Sequence, residues 1–264
     1  MIELQMFNKP LPPHYCKTLV SGSALVNADC FDIFPYIKDK SVNLILADLP
    51  YGTTACKWDS ILPFDKLWKE YERMLTDDGA IVLTASQPFT SALIMSNPKM
   101  FKYEWIWEKS KASNFLQASY MPLKAHENIV VFGKGKTKYN AQKAQGKPFN
   151  KGNRKHDNGI ATEVYNRIPN AGIEIVNETG LRNPRTVQYF TTAESEGKYH
   201  PTQKPKELMK YFISTYTDEN DVVLDNTMGS GTTCLASKEL NRFFVGIEKE
   251  KQYYEIAVSR VCGS

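Results

Sequence analysis

The sequence predicts an α/β fold built on a doubly wound, mostly parallel sheet, and three observations carry that expectation. Short apolar runs alternate with amphipathic stretches of helical period. Several of the runs are apolar almost throughout, as strands covered on both faces require. Two of them end in turn chemistry suited to ligand binding. Taken in order, ALVNADC (24–30) reads as a strand ending near Asp29, followed by a short helix through FDIFPYI. VNLILAD (42–48) is an apolar run of the buried-strand kind. Phe64, Leu67, Trp68, Tyr71, Met74 and Leu75 recur at helical spacing, and Asp77-Asp78-Gly79 reads as the end of that helix. AIVLTA (80–85) is the next strand, with a helix over 88–96. FKYEWIWEK (101–109) and ENIVVFG (127–133) are further strands, separated by a polar loop. After an irregular stretch the alternation resumes with a helix over 205–216, the strand DVVLDN (221–226), a helix from Thr232 to Leu240, the strand FFVGIE (243–248) and a terminal helix.

The irregular stretch, 134–199, is too long for an ordinary loop and reads as an insertion. The expected organisation is one domain from 1–133 and 200–264, interrupted by a region at 134–199. A chain of 264 residues with 42% hydrophobic content buries one substantial core. Its 23% charged and 12% aromatic residues exclude a disordered or fibrous chain. No apolar run approaches bilayer length, and the opening MIELQMFNKPLPPHYCK lacks a signal-peptide core, so an intracellular protein is expected. The five cysteines are scattered without a C-x-x-C pair and the four histidines lie far apart, so no metal ligand set is read. The net charge of +4 is unevenly placed. Lys134, Lys136, Lys138, Lys143, Lys147, Lys151, Arg154 and Lys155 fall in one block without an Asp or Glu. Such a block is either a solvated segment or the electrostatic footprint for a polyanion.

Ligands of open α/β sheets bind beyond the carboxyl ends of the strands. Asp225-Asn226-Thr227-Met228-Gly229-Ser230-Gly231-Thr232 forms a glycine-rich turn from strand into helix, and Glu248 ends the following strand 23 positions after Asp225. An acidic residue at that spacing is placed to accept hydrogen bonds from ribose hydroxyls, which implies an adenosine-bearing cofactor. Cys234 stands where a dinucleotide fingerprint has its third glycine, so the pattern does not match nicotinamide or flavin binding. At the other strand end, Asp48-Leu49-Pro50-Tyr51 makes a clamp for a planar amine. Asp48 accepts one hydrogen of an exocyclic NH₂, the Leu49 carbonyl accepts the other, and the Tyr51 ring offers a stacking face. A plain strand-to-loop turn uses the same residue types, so the tetrapeptide alone does not decide.

Taken together, these motifs resemble the beta-class amino-methyltransferases of DNA, which carry a D-P-P-Y tetrad early and a glycine-rich cofactor motif late. The order DLPY (48–51), a basic variable region, HPTQKP (200–205), DNTMGSGTT (225–233) and Glu248 matches that family over about residues 24 to 258. The resemblance implies a Rossmann-like methyltransferase fold with S-adenosylmethionine as cofactor and double-stranded DNA as substrate. It makes 134–199 the target-recognition region, its basic block contacting phosphates, and implies N6 methylation of a flipped-out adenine. It places Asp29 and Cys30 beside the cofactor adenine, and His200, Pro201, Thr202 and Lys204 around its methionine end, with Lys204 paired to the carboxylate. Asp225, Asn226, Thr227, Gly229, Gly231 and Thr232 form the cofactor turn, Glu248 holds the ribose, and Asp48 lies where cofactor and target meet. Asn114 and His126-Glu127-Asn128 match further family features. The family resemblance also implies action on prokaryotic or phage DNA in the cytoplasm, and homodimers occur in it.

Two departures stand out. Leu49 replaces a proline, at a position where the backbone carbonyl acts. Asn226-Thr227 replaces the usual Pro-Phe and removes an aromatic contact to the cofactor. N4 methylation of cytosine needs the same clamp, but in the family a serine-led tetrad goes with cytosine and an aspartate-led one with adenine. A DNA-binding homologue with weakened catalysis is another reading, opposed by the intact tetrad and Glu248. Methylation of RNA or of a protein glutamine is disfavoured by the basic insertion and the motif order.

Overall fold

The structure is a computed structural model that describes residues 6–53, 56, 59–153, 174–197 and 199–263. It divides into two compact units, Met1–Asn140 with Thr186–Ser264, and Ala141–Arg185.

The larger unit is organised on nine strands. They are β1 (Cys16–Val20), β2 (Ser23–Asn27), β3 (Val42–Ala47), β4 (Leu75–Ala85), β5 (Phe101–Ser113), β6 (Lys124–Phe132), β11 (Val187–Phe190), β12 (Val222–Asp225) and β13 (Phe243–Glu248). Their spatial order is β1-β2-β13-β12-β3-β4-β6-β5-β11. β1 and β6 run against the others, so the sheet is mostly parallel. Alternation along each strand divides the core. Ile45, Ala47, Ile81, Leu83 and Leu224 face α1 (Cys30–Ile33), α2 (Phe64–Met74) and α3 (Phe89–Ser96). Leu44, Leu46, Ala80, Val82 and Val223 face α4 (Lys206–Tyr216). α5 (Thr232–Glu239) and α6 (Lys251–Cys262) cover the same face farther along, against Leu25 and Phe244. Two-sided burial is why these strands read as continuous apolar runs, each buried side chain contributing about 1.5–3 kcal/mol. In this core Tyr216 Oη accepts from Trp105 Nε1 at 2.8 Å and lies 3.0 Å from the Tyr103 hydroxyl.

The structure departs from expectation at several places. Asp77-Asp78-Gly79 does not end the helix. α2 stops at Met74, Leu75 turns extended (φ −68, ψ 137), and β4 begins at once. Leu75 is fully buried and pairs with Val42, and the Lys40 and Ser41 amides take the Arg73 and Met74 carbonyls at 3.0 and 2.9 Å. Those contacts replace further helical turns, and residues 76–79 are accommodated as a bulge before Leu44 meets Ala80. β5 and β6 extend into the intervening loop, leaving 114–123 between them.

The boundaries of the insertion also differ from the 134–199 read from the sequence. Lys138 N donates to Asp78 O at 2.8 Å, Asn140 N donates to Thr215 O at 2.7 Å, and β11 pairs in parallel with β5. Both flanks therefore belong to the sheet unit, and the smaller unit spans Ala141–Arg185. That unit contains β7 (Ala144–Gln145) paired with β10 (Leu181–Arg182), and β8 (Phe149–Asn153) paired with β9 (Glu174–Asn177). The Arg182 guanidinium sits 4.3 Å from the Phe149 ring centroid and donates to Lys147 O at 2.8 Å.

Candidate active site

β3 and β12 are hydrogen-bonded parallel neighbours, Leu44 opposite Val223 and Ile45 opposite Leu224, so both motifs leave the same edge of the sheet side by side. Thr227 Oγ1 donates to the Asp48 carbonyl at 3.1 Å and joins them directly. The two loops open a cleft of about 1110 Å³ lined by Asp29, Asp48, Tyr51, Lys204, Asn226 and Glu248, among others.

Asp48 is the centre of one side. Its Oδ1 accepts from the Tyr51 hydroxyl at 2.8 Å and from the Thr84 hydroxyl. Its Oδ2 accepts from Lys204 Nζ at 2.6 Å. The Lys204 ammonium also approaches Glu127 Oε2 at 3.5 Å, and Glu127 Oε1 meets Lys109 Nζ at 3.4 Å. Burial would discharge Lys204, but Asp48 and Glu127 outweigh it and its pKa is raised. Tyr51 is pushed well above the usual phenol range, first by burial and then by the Asp48 charge, so its hydroxyl stays a donor. One face of the Tyr51 ring is already stacked on Phe89, centroids 5.0 Å apart at 27°. Leu49 is buried in the core and anchors the tetrad by packing, where proline would have anchored it by rigidity. Pro50 lines the cleft.

On the other side, Glu248 Oε2 accepts from Gly229 N and Oε1 from Glu250 N, both at 2.8 Å, so this carboxylate holds the glycine turn in shape. Asp29 caps α1 through the Phe31 amide at 3.1 Å and pairs with Lys249 at 3.1 Å. Cys30 is a buried thiol pushed up to about 12, chiefly by burial. His200 lies with its ring centroid 4.2 Å from that of Tyr253, and its Nδ1 receives the Thr202 amide at 3.3 Å. Burial lowers its pKa. Pro201, Thr202 and Thr232 line the cleft with it. Gly229 (φ +51) has left-handed backbone, and a Cβ there would stand 3.4 Å from the His200 ring. Gly231 is different. It is absent from the lining, and at φ +77 a Cβ would lie 2.8 Å from Ala257 Cβ, so this glycine lets α6 approach the turn.

The expected Pro-Phe position has been rebuilt as a polar one. Asn226 is buried, its Oδ1 accepts from Tyr71 at 2.5 Å, and its amide nitrogen, near the Cys30 thiol, has no hydrogen-bond partner among the described residues. A buried amide donor at the cleft wall, an acidic strand end and a left-handed glycine turn together fit an adenosine-bearing molecule with polar substituents. Asp225 is raised to about 7, mainly by burial, with the Asp48 and Glu248 charges adding to it. A carboxyl raised above its unfolded value of 3.8 binds more protons when folded, so its contribution to stability falls as pH rises from about 4 to 7. Asp225→Asn is therefore expected to gain stability over the wild type as pH rises through that window, by about 1–4 kcal/mol at pH 8. Urea unfolding at pH 5 and pH 8 measures this, and a difference independent of pH would show that Asp225 ionises normally.

The basic block is only partly what its charge count suggested. Lys134 Nζ donates to Leu75 O at 2.7 Å, and Lys138 pairs with Asp218 at 2.9 Å and Asp221 at 2.8 Å. These partners precede β4 and β12 or begin them, on the sheet edge opposite the cleft. Lys134 and Lys138 thus tie their segment to the amino-terminal edge of the sheet. Lys136 is exposed on the same segment. Lys143, Lys147 and Lys151 belong to the smaller unit, and Arg154 and Lys155 lie outside the described residues. Sequence reasoning missed Thr84, Phe89 and Lys109. Thr84 was discoverable in principle, as a polar residue near the carboxyl end of the strand beside β3.

Comparison with known proteins agrees with this geometry. The family model described as DNA methylase, of N6 and N4 type, matches residues 42–259. Among curated relatives, the Type II methyltransferase M1.MboII of Moraxella bovis is 27% identical over 239 residues, covering 85% of this chain and 91% of that protein. M.HindIII of Haemophilus influenzae is 32% identical over 216 residues, covering 73% and 66%. The crystal structure of the M1.HpyAVI–SAM complex superposes with TM-score 0.60 at 27% identity, covering 89% of this chain and 98% of that one. PvuII DNA methyltransferase (cytosine-N4-specific), at 15% identity and TM-score 0.65 over 90% and 86%, shares the fold. With both strand-end motifs converging on one cleft, the chain belongs to the DNA methylase family, as an S-adenosylmethionine-dependent amino-methyltransferase of the beta class.

Proposed function

We infer that this chain methylates N6 of adenine in double-stranded DNA. The observation that carries the reading is Asp48, an acceptor-only carboxylate at the head of the clamp, held by Tyr51, Thr84 and Lys204 in a cleft shared with the glycine turn. S-Adenosylmethionine supplies a methyl group on a sulfonium, which is already an activated leaving group. Glu248, Asp29 and the Asn226 amide are the groups placed to hold its adenosine portion, and His200 and Thr202 border the remainder. A base amino group is unreachable inside a stacked duplex, so the target adenine is flipped out at a cost of a few kcal/mol. The face of Tyr51 not stacked on Phe89 receives the base, and Asp48 and the Leu49 carbonyl accept its two N–H hydrogens. This directs the nitrogen lone pair out of the ring and toward the methyl donor, and positioning of this kind supplies most of the acceleration. One amino proton leaves as the N–C bond forms, and Asp48 is the base within reach. Ala141–Arg185 is the target-recognition unit in this reading, with Lys143, Lys147 and Lys151 on phosphates.

The test is direct. Incubating the protein with plasmid DNA and S-adenosylmethionine, then mapping modified bases by single-molecule sequencing, is expected to show N6-methyladenine within one recurring sequence. N4-methylcytosine at such a site would overturn the adenine assignment while keeping the clamp.

A further inference from the structure

Four charged side chains run across the cleft in alternating sign: Asp48, Lys204, Glu127 and Lys109. Both lysines are almost fully buried, their side chains 10% and 8% exposed. This arrangement poses a problem for the reaction. Asp48 Oδ1 already accepts two hydroxyls, so an incoming amino group must use Oδ2, which the Lys204 ammonium occupies at 2.6 Å. A charged donor outcompetes a neutral N–H for the same oxygen. The amine can dock only if the ammonium has somewhere to go.

Glu127 provides the place. Its Oε2 is buried, stands 3.5 Å from the same Nζ, and apart from that loose approach has no hydrogen-bond partner among the described residues. Glu127 sits on β6, fixed beside the catalytic edge through the pairing of Trp107 with it, while Lys109 holds its other oxygen. We propose that Glu127 is a positioning residue that receives the Lys204 ammonium when the target amine takes Asp48. The lysine therefore caps the catalytic carboxylate in the empty enzyme and shifts by about an ångström as the base docks, from one carboxylate to the other, so that the buried ammonium faces a carboxylate at both stages. The distances 2.6 and 3.5 Å to one nitrogen make this a small displacement within the rotamer range of a flexible stem.

The inference rests on the DNA-methylation reading, and its test separates the two. Steady-state kinetics are measured on a duplex carrying the mapped target, at saturating S-adenosylmethionine, for wild type, Glu127→Gln, Lys204→Met and the double variant. Glutamine keeps the shape of Glu127 but attracts the ammonium weakly. Glu127→Gln is expected to raise KM for DNA about tenfold or more with kcat changed less than about threefold. Adding Lys204→Met removes the cap, so the double variant is expected to bind DNA better than Glu127→Gln alone, a suppression that a merely structural role for Glu127 would not produce. An unchanged KM in Glu127→Gln would mean that the ammonium leaves toward another acceptor, such as the cofactor carboxylate, and would overturn the proposal. So would losses that multiply in the double variant. A wild type that binds S-adenosylmethionine but methylates no DNA would instead remove the functional reading, and this inference with it.

Discussion

Asp48→Ala is expected to reduce methyl transfer on the order of 10³-fold or more while leaving S-adenosylmethionine affinity within about threefold of wild type. The size follows from what Asp48 does at once. In the proposed reaction it accepts the target N–H and is the base for the departing proton, and in the structure it neutralises the Lys204 ammonium at 2.6 Å. Without it the ammonium has only Glu127 at 3.5 Å and would face a nitrogen that is gaining positive charge. The cofactor side is spared because the glycine turn is held by Glu248 and by β12, and the bridge from Thr227 bonds the Asp48 backbone and so survives the substitution. Asp48→Asn should fare little better, since its amide nitrogen would meet an ammonium or a second donor. Radiolabelled methyl transfer measured beside calorimetric cofactor binding checks both halves. Turnover within about tenfold of wild type would reassign the clamp.

The sheet was legible in the sequence wherever burial was two-sided. VNLILA and DVVL have apolar residues facing both helical layers, and their strands were read almost to the residue. β1 and β11 were not, because each lies at an edge of the sheet with no residue buried, so Cys16–Val20 and Val187–Phe190 read like surface loops. At the site, the same contrast holds between residues whose role depends on chain order and those whose role depends on pairing across the sheet. Asp225 and Glu248 end strands and Asp48 directly follows one, and strand ends are visible in a one-dimensional pattern. The ion pair of Lys204 with Asp48 spans 156 positions and depends on the segment before α4 folding back over β3. A charge count has no direction, which is why Lys138 counted toward a DNA footprint although its ammonium is committed to Asp218 and Asp221 beneath the sheet. Glycine was similarly ambiguous: Gly229 and Gly231 are two residues apart, yet one faces His200 in the cleft and the other the packed face of α6.

Glu248→Ala is expected to weaken S-adenosylmethionine binding on the order of 100-fold, with turnover at saturating cofactor reduced far less. Two effects combine. The carboxylate accepts the Gly229 and Glu250 amides at 2.8 Å each, so its removal leaves two backbone donors unpaired and frees the turn to sample other conformations. On the proposed reading it also removes the acceptor for the ribose hydroxyls. Glu248→Gln separates the effects, because the amide oxygen still accepts one backbone N–H while the charge is lost. An affinity midway between wild type and alanine would indicate that ordering of the turn and contact with the ribose both contribute. Affinity of the glutamine variant equal to that of alanine would place the whole effect in the charged contact. The methyl-transfer centre stands apart from both, since Asp48, Thr84, Tyr51 and Lys204 bond to one another and not to Glu248. A Glu248→Ala enzyme that bound cofactor normally but turned over slowly would contradict that separation and place the acidic strand end in the catalytic step.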